Sequence, residues 1–131
     1  MTILLDRISP FVLSLLRAMS GLLLLQHGTI KHLNIPVGSM NNADPASLSG
    51  IAGLIELLCG TLLVLGLLTR PAAFLASGLT AVAYFLSHAP RGFYPILNGG
   101  ELAALYSFVF LYLAAAGGGP ISVDRLFRRS T

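Results

Sequence analysis

The stretch FVLSLLRAMSGLLLLQHGTI, residues 11–30, decides the fold. It is long enough to cross a bilayer, which takes about 20 predominantly apolar residues. Yet it holds a cation, Arg17, near its middle, and the next apolar run, IAGLIELLCGTLLVLGLL at residues 51–68, holds Glu56. Charge at membrane depth is costly unless paired or wetted, so both residues belong inside a helical bundle and not against lipid. Opposite charges on neighbouring helices predict an Arg17–Glu56 ion pair, which either fixes helix register or forms part of a site. If the pair is structural, Glu56→Gln misfolds the protein and Arg17→Leu or Arg17→Met rescues it. If Glu56 is chemical, Glu56→Gln keeps much of the fold.

Two further apolar stretches complete the pattern. Together the four predict helices over residues 8–33, 48–68, 70–88 and 98–117. The expected fold is all-α: an integral membrane four-helix bundle, antiparallel, forming a single domain over residues 1–131. Composition agrees, because 55% of the 131 residues are hydrophobic, only 10% are charged, and mean hydropathy is +0.82. A soluble domain carries about 25% charge. Four crossings leave no length for a separate soluble catalytic domain. The first stretch does not read as a cleaved signal peptide, since Arg17 interrupts it and no small-x-small site follows before His27.

Four crossings put both termini on one side. Arg7, Arg70, Arg125, Arg128 and Arg129 fall on that side, against Lys31 and Arg91 on the other. Positive residues in short loops favour the cytoplasm, so both termini are expected there. The net charge of +3 is therefore no nucleic-acid footprint: no basic patch is interleaved with aromatics. The lone Cys59 forms no internal disulfide and excludes a C-x-x-C redox pair; it reads as a small buried apolar residue.

Local signals place the elements. Ser9-Pro10 suits the first turn of helix one. Arg17, Ser20, Leu24, His27 and Lys31 then share one face, with Gly21 and Gly28 allowing a close neighbour. Asn34-Ile35-Pro36 ends that helix. A Gly/Asn/Asp/Pro-rich loop leads to Ser47 or Ser49 as cap of helix two, where Gly53 and Gly60 flank Glu56. Thr69 is read as the N-cap of helix three and Pro71 as its first position. Phe93 and Tyr94 fit an interfacial aromatic belt. The tail Ser122–Thr131 turns Val123, Leu126 and Phe127 to the interface and Arg125, Arg128 and Arg129 to anionic headgroups.

The polar residues of this greasy chain converge. His27, Lys31, Tyr84, His88, Asn98 and Glu101 all fall in the layer away from the termini, with Arg17–Glu56 beneath them. This predicts one polar pocket opening away from the cytoplasm. Each residue also has a plainer reading. Asn98 and Glu101 fit a capping box, His88 an interfacial histidine, and His27 and Lys31 side chains that snorkel to the headgroups. No E-x-x-H ligand spacing supports a metal, and no P-loop, G-x-G-x-x-G or H-E-x-x-H occurs.

Taken in order, Arg17, His27-Gly28 with Lys31, and Glu56-Leu57-Leu58-Cys59-Gly60 make a recognisable series. It continues with Gly66-Leu67-Leu68-Thr69-Arg70-Pro71-Ala72, Ala83-Tyr84-Phe85 with His88, Asn98-Gly99-Gly100-Glu101 and Gly119-Pro120-Ile121-Ser122-Val123-Asp124. Over nearly its whole length the chain resembles the DoxX family of small bacterial membrane proteins. The resemblance implies a four-helix protein of the bacterial inner membrane. It also implies a link to respiratory or sulfur redox chemistry as a membrane subunit or anchor of an oxidoreductase assembly.

Two functional readings follow. In the first, the chain is a non-catalytic subunit anchoring redox-enzyme partners, and its pocket takes a quinone: tail in lipid, carbonyls accepting hydrogen bonds. His27, Lys31 or His88 would donate and Glu56 or Glu101 relay protons. With no flavin, haem or iron–sulfur motif in the chain, any electron carrier comes from a partner or the quinone. In the second, it is a binding, transport or scaffold protein without chemistry, transporting only as a homo-oligomer. No matching pair of broken helices marks a transporter.

Overall fold

In the computed structural model, which describes residues 1–129, the first apolar run forms α1 over Thr2–His32. The helix starts earlier than the proline suggests. Pro10 lies inside it, where it lacks only one N–H, and the Ile-Leu-Leu-Asp-Arg sequence before it continues the helix. Asn34, at φ 56°, stands just past its end. The loop then folds back: Asn41 Nδ2 donates to the Ile30 carbonyl at 2.6 Å and the Ala43 N–H to the Lys31 carbonyl at 3.0 Å. These bonds satisfy carbonyls that a helix end leaves without partners.

Helix α2 covers Leu48–Leu65, with Ser47 as cap accepting from the Gly50 N–H. It stops three residues short of the predicted end. Gly66 takes the left-handed conformation at φ 70°, while its N–H reaches Leu63 and that of Leu67 reaches Leu62. This is a Schellman termination, for which glycine is the favoured residue.

Helix α3 covers Thr69–Ala83 and runs on through a π turn, Tyr84–His88, and a 3₁₀ turn, Ala89–Arg91. Its N-cap is Leu68 and not Thr69, which is the first helical residue. The last predicted helix, 98–117, begins at Glu101 and is preceded by a separate turn. A single turn, α4, covers Pro95–Asn98, then Gly99 at φ 74° breaks the path and α5 covers Glu101–Ala116. Helix α6 covers Val123–Arg129, so Ser130 and Thr131 of the basic tail lie outside the described residues. No strand occurs among the described residues.

Three of these spans (Thr2–His32, Leu48–Leu65 and Thr69–Arg91) are long and apolar enough to cross a membrane, while Glu101–Ala116 is apolar but shorter. Packing is by antiparallel pairs, α1 with α2 and α3 with α5, joined where α2 meets α3. Glycines set the first pair. A Cβ on Gly60 would lie 2.7 Å from the Leu25 backbone, and one on Gly28 would lie 2.7 Å from the Leu57 nitrogen. Where burial in lipid adds no hydrophobic drive, such close backbone approach supplies the packing. The second pair sets Ala72, Ala73 and Ala76 of α3 in one core with Tyr106, Phe110 and Leu113 of α5. Cys59 is buried in this core beside Leu24 and Leu63. Large apolar side chains point outward along every long helix, the reverse of a soluble domain.

Gly60→Ala and Gly28→Ala should each destabilise the detergent-solubilised protein by about 1–3 kcal/mol, since the new methyl meets backbone. Gly78→Ala, where a Cβ meets nothing within 4 Å, should be stabilising by up to about 1 kcal/mol through helix propensity. Thermal unfolding followed by circular dichroism measures all three.

Candidate functional site

Glu56 is paired, but with Lys31 and not with Arg17. Lys31 Nζ lies 2.9 Å and 3.1 Å from the two carboxylate oxygens, and both residues are buried. The helix register explains the change. Gly28 abuts Leu57, so Glu56 is level with residues 28–29 of α1, and Arg17 lies about 17 Å further along at about 1.5 Å per residue. Helical side chains also tilt toward their own N-terminus. In antiparallel helices that brings Lys31 and Glu56 together and turns Arg17 away.

Arg17 instead reaches the C-terminal end of α2. It is 3% exposed, and its Nε donates to the Leu63 carbonyl at 2.8 Å. Nη1 donates to the carbonyls of Gly118 and Ile121, beyond α5, and Nη2 to that of Val64. The Leu63, Val64 and Gly118 carbonyls lie at the C-terminal ends of α2 and α5, where the helix dipole is negative, and that of Ile121 lies in the turn before α6. A guanidinium with several fixed donors is thus satisfied by backbone oxygens without a salt bridge.

The polar residues near α5 form a separate cluster. Asn98 is 2% exposed. Its Nδ2 donates to the Tyr84 hydroxyl at 3.2 Å and the Gly92 carbonyl at 3.0 Å, and its Oδ1 accepts from the Gly100 N–H. His88 Nδ1 lies 3.2 Å from the Asn98 carbonyl; since a carbonyl only accepts, that nitrogen carries the proton. The Tyr84 and His88 rings stack with centroids 6.4 Å apart. Asn98 is not the N-cap of α5, a place held by Gly100, and the exposed Glu101 makes no capping bond. The predicted capping box is therefore absent, because Gly99 separates Asn98 from the helix. The half-buried His27 makes no hydrogen bond among the described residues, and Gly28 takes its place on the buried face of α1.

The expected single pocket is thus two clusters, Lys31–Glu56 on the α1–α2 pair and Tyr84–His88–Asn98 on the α3–α5 pair. No hydrogen bond joins them among the described residues, and Arg17 is the floor of neither. A cleft of about 440 Å³ lies at the opposite end, lined by Gly117–Gly119, Ser122, Asp124 and three arginines of α6. An apolar groove of about 290 Å³ runs between α2 and α3 beside Gly78.

Three contributors carry little sequence signal. Ser14 Oγ accepts from the Ile121 N–H at 3.1 Å; its place three residues before Arg17 on the same helix face was the available clue. His32 Nε2 lies 2.7 Å from the Gly50 carbonyl and packs where a Gly53 Cβ would go. Asp124, 55 residues on, caps α3: its carboxylate accepts from the N–H groups of Leu68 at 2.7 Å and Thr69 at 2.9 Å. Burial pushes the Asp124 carboxyl up. The Thr69 and Leu68 backbone donors and the charge of Arg128 outweigh it and hold the group below its ordinary value. With the folded value lowered, its stabilisation is present at neutral pH and is lost as pH falls through the folded value.

A family model described as DoxX matches residues 12–89. A protein of Haemophilus influenzae described as "Uncharacterized protein" is 43% identical over 130 residues, covering 94% of this chain and 96% of that protein. A second protein of the same organism, with the same description, is 35% identical over 74 residues, or 56% of this chain and 49% of that protein. No solved structure matches the chain.

Removing one partner of the buried pair, as in Lys31→Met or Glu56→Gln, should cost roughly 3–5 kcal/mol. Lys31→Met with Glu56→Met should recover most of it, whereas adding Arg17→Leu to Glu56→Gln should recover none. Unfolding titrations in mixed detergent read both. Asp124→Asn should cost about 1 kcal/mol, as a lost cap does, and should flatten the fall in stability on acidification.

Proposed function

Since the chain belongs to the DoxX family and is a multi-pass membrane protein, we propose that it is a non-catalytic membrane subunit of a quinone-linked redox assembly. On this reading residues 1–131 form one four-helix transmembrane unit of the bacterial inner membrane, with both termini cytoplasmic and α4–α5 completing the fourth crossing. The observation that carries it is the open hydrogen-bonding capacity of the Tyr84–His88 pair. Among the described residues neither the Tyr84 hydroxyl proton nor His88 Nε2 has a partner. Both sit at the end of an apolar bundle, beside a π turn of the kind common at functional sites. An amphipathic quinone, with its tail along the helices and its carbonyls at that end, meets those groups. Arg17, Lys31 and Glu56 act in this reading by holding the helices, while His27 and Glu101 remain available to a ligand or partner. Electrons come from partner subunits or the quinone.

One observation favours a second reading, a scaffold or small-molecule binding protein with no redox role. Lys31, Glu56 and Arg17, charged residues buried in the bundle, are all engaged with protein atoms.

Gentle purification from the native membrane, with mass spectrometry of co-purifying proteins and lipophilic molecules, separates the two. Under the redox reading a quinone or redox enzyme co-purifies, and His88→Gln with Tyr84→Phe loses the quinone while keeping the helical circular dichroism. A ligand-free and partner-free protein sinks the redox reading and leaves the scaffold.

A further inference from the structure

The C-terminal ends of α2 and α5 and the N-terminal end of α3 come together beside Pro10–Ser14 of α1, and there the turn after α5 and helix α6 line the 440 Å³ cleft. We propose that this cleft binds the phosphodiester head group of one anionic phospholipid. Its cations are Arg125, Arg128 and Arg129, against the single acid Asp124. Both oxygens of that acid already accept from the Leu68 and Thr69 N–H groups. With three arginines against one acid the lining is net positive, and planar guanidinium forks match phosphate oxygens.

Position and apolar surface select a lipid over a soluble phosphate. The C-terminus of α2, the N-terminus of α3 and the C-terminus of α5 all meet at this level, the boundary of the apolar helices. On the same short segment Ile121, Leu126 and Phe127 are 61%, 64% and 62% exposed. Acyl chains cover those side chains, whereas a soluble anion leaves them in water. Basic residues with adjacent apolar anchors at an interface are the sequence form of headgroup recognition.

The site is also held in place. The Asp124 N–H donates to the Gly66 carbonyl at 2.9 Å, so both the backbone and the side chain of Asp124 fasten α6 to the α2–α3 turn. Asp124 is a positioning residue here. This inference rests on the membrane placement alone and not on the redox reading, and its assay uses the purified chain without partners, so either fails independently of the other.

Native mass spectrometry of the full chain in detergent, titrated with phosphatidylglycerol or phosphatidylcholine of matched acyl chains, tests it. One phosphatidylglycerol should bind in preference. Arg129→Gln should weaken it about fivefold and Arg125→Gln with Arg128→Gln about twenty-five-fold, with phosphatidylcholine unaffected. Arg91→Gln at the far end should leave binding unchanged. Asp124→Asn should weaken binding by releasing α6, although removing a negative charge alone would strengthen it. The proposal is overturned by equal binding of the two lipids, by an equal loss in Arg91→Gln, or by displacement of phosphatidylglycerol by millimolar inorganic phosphate.

Discussion

A buried guanidinium whose hydrogen bonds among the described residues all go to backbone oxygens organises this molecule. Arg17 takes the carbonyls of Leu63 and Val64 at the end of α2 and those of Gly118 and Ile121 beyond α5. One side chain thus joins the first hairpin to the last. The turn it holds carries Asp124, which in turn caps α3. Helices α1, α2, α3, α5 and α6 meet in this small network. Each hydrogen bond to a charged group is worth about 1.5–3 kcal/mol, and the alternative is an unsatisfied cation in an apolar bundle.

The two ends of the bundle consequently differ in character. The termini end is a rigid polar knot whose outer surface is basic. The loop end is divided between a closed ion pair on α1 and α2 and a partly open aromatic–histidine cluster on α3 and α5. A closed pair specifies register, and register is what the glycine contacts between α1 and α2 require. The open cluster keeps donors that have no partner among the described residues. Helix register, the tie at the termini end and the open donors therefore reside in different residues, although all of them look alike as polar interruptions of apolar sequence.

Much of this was legible before any coordinates. Hydropathy and breaker residues gave the all-helical fold and placed the long helices to within a few residues, except at Pro10 and at the Gly99 break. The series of motifs gave the family. The buried stripe of α1 was readable from its period, apart from the exchange of His27 for Gly28. The Arg17–Glu56 pairing was not, because charge complementarity names candidate partners without fixing their heights.

The sequence by itself determined which segments are helical, that their surfaces are apolar, and that Arg17, Lys31 and Glu56 face protein. These follow from local period and transfer energy, which act on a segment wherever it packs. Tertiary structure alone decided who pairs with whom. The antiparallel register set by Gly28 and Gly60 raised Lys31 to Glu56 and left Arg17 about 17 Å away at about 1.5 Å per residue. The cap of α3 came from Asp124, 55 residues distant. Such contacts depend on relative heights and crossings of whole helices, quantities that no window of sequence contains.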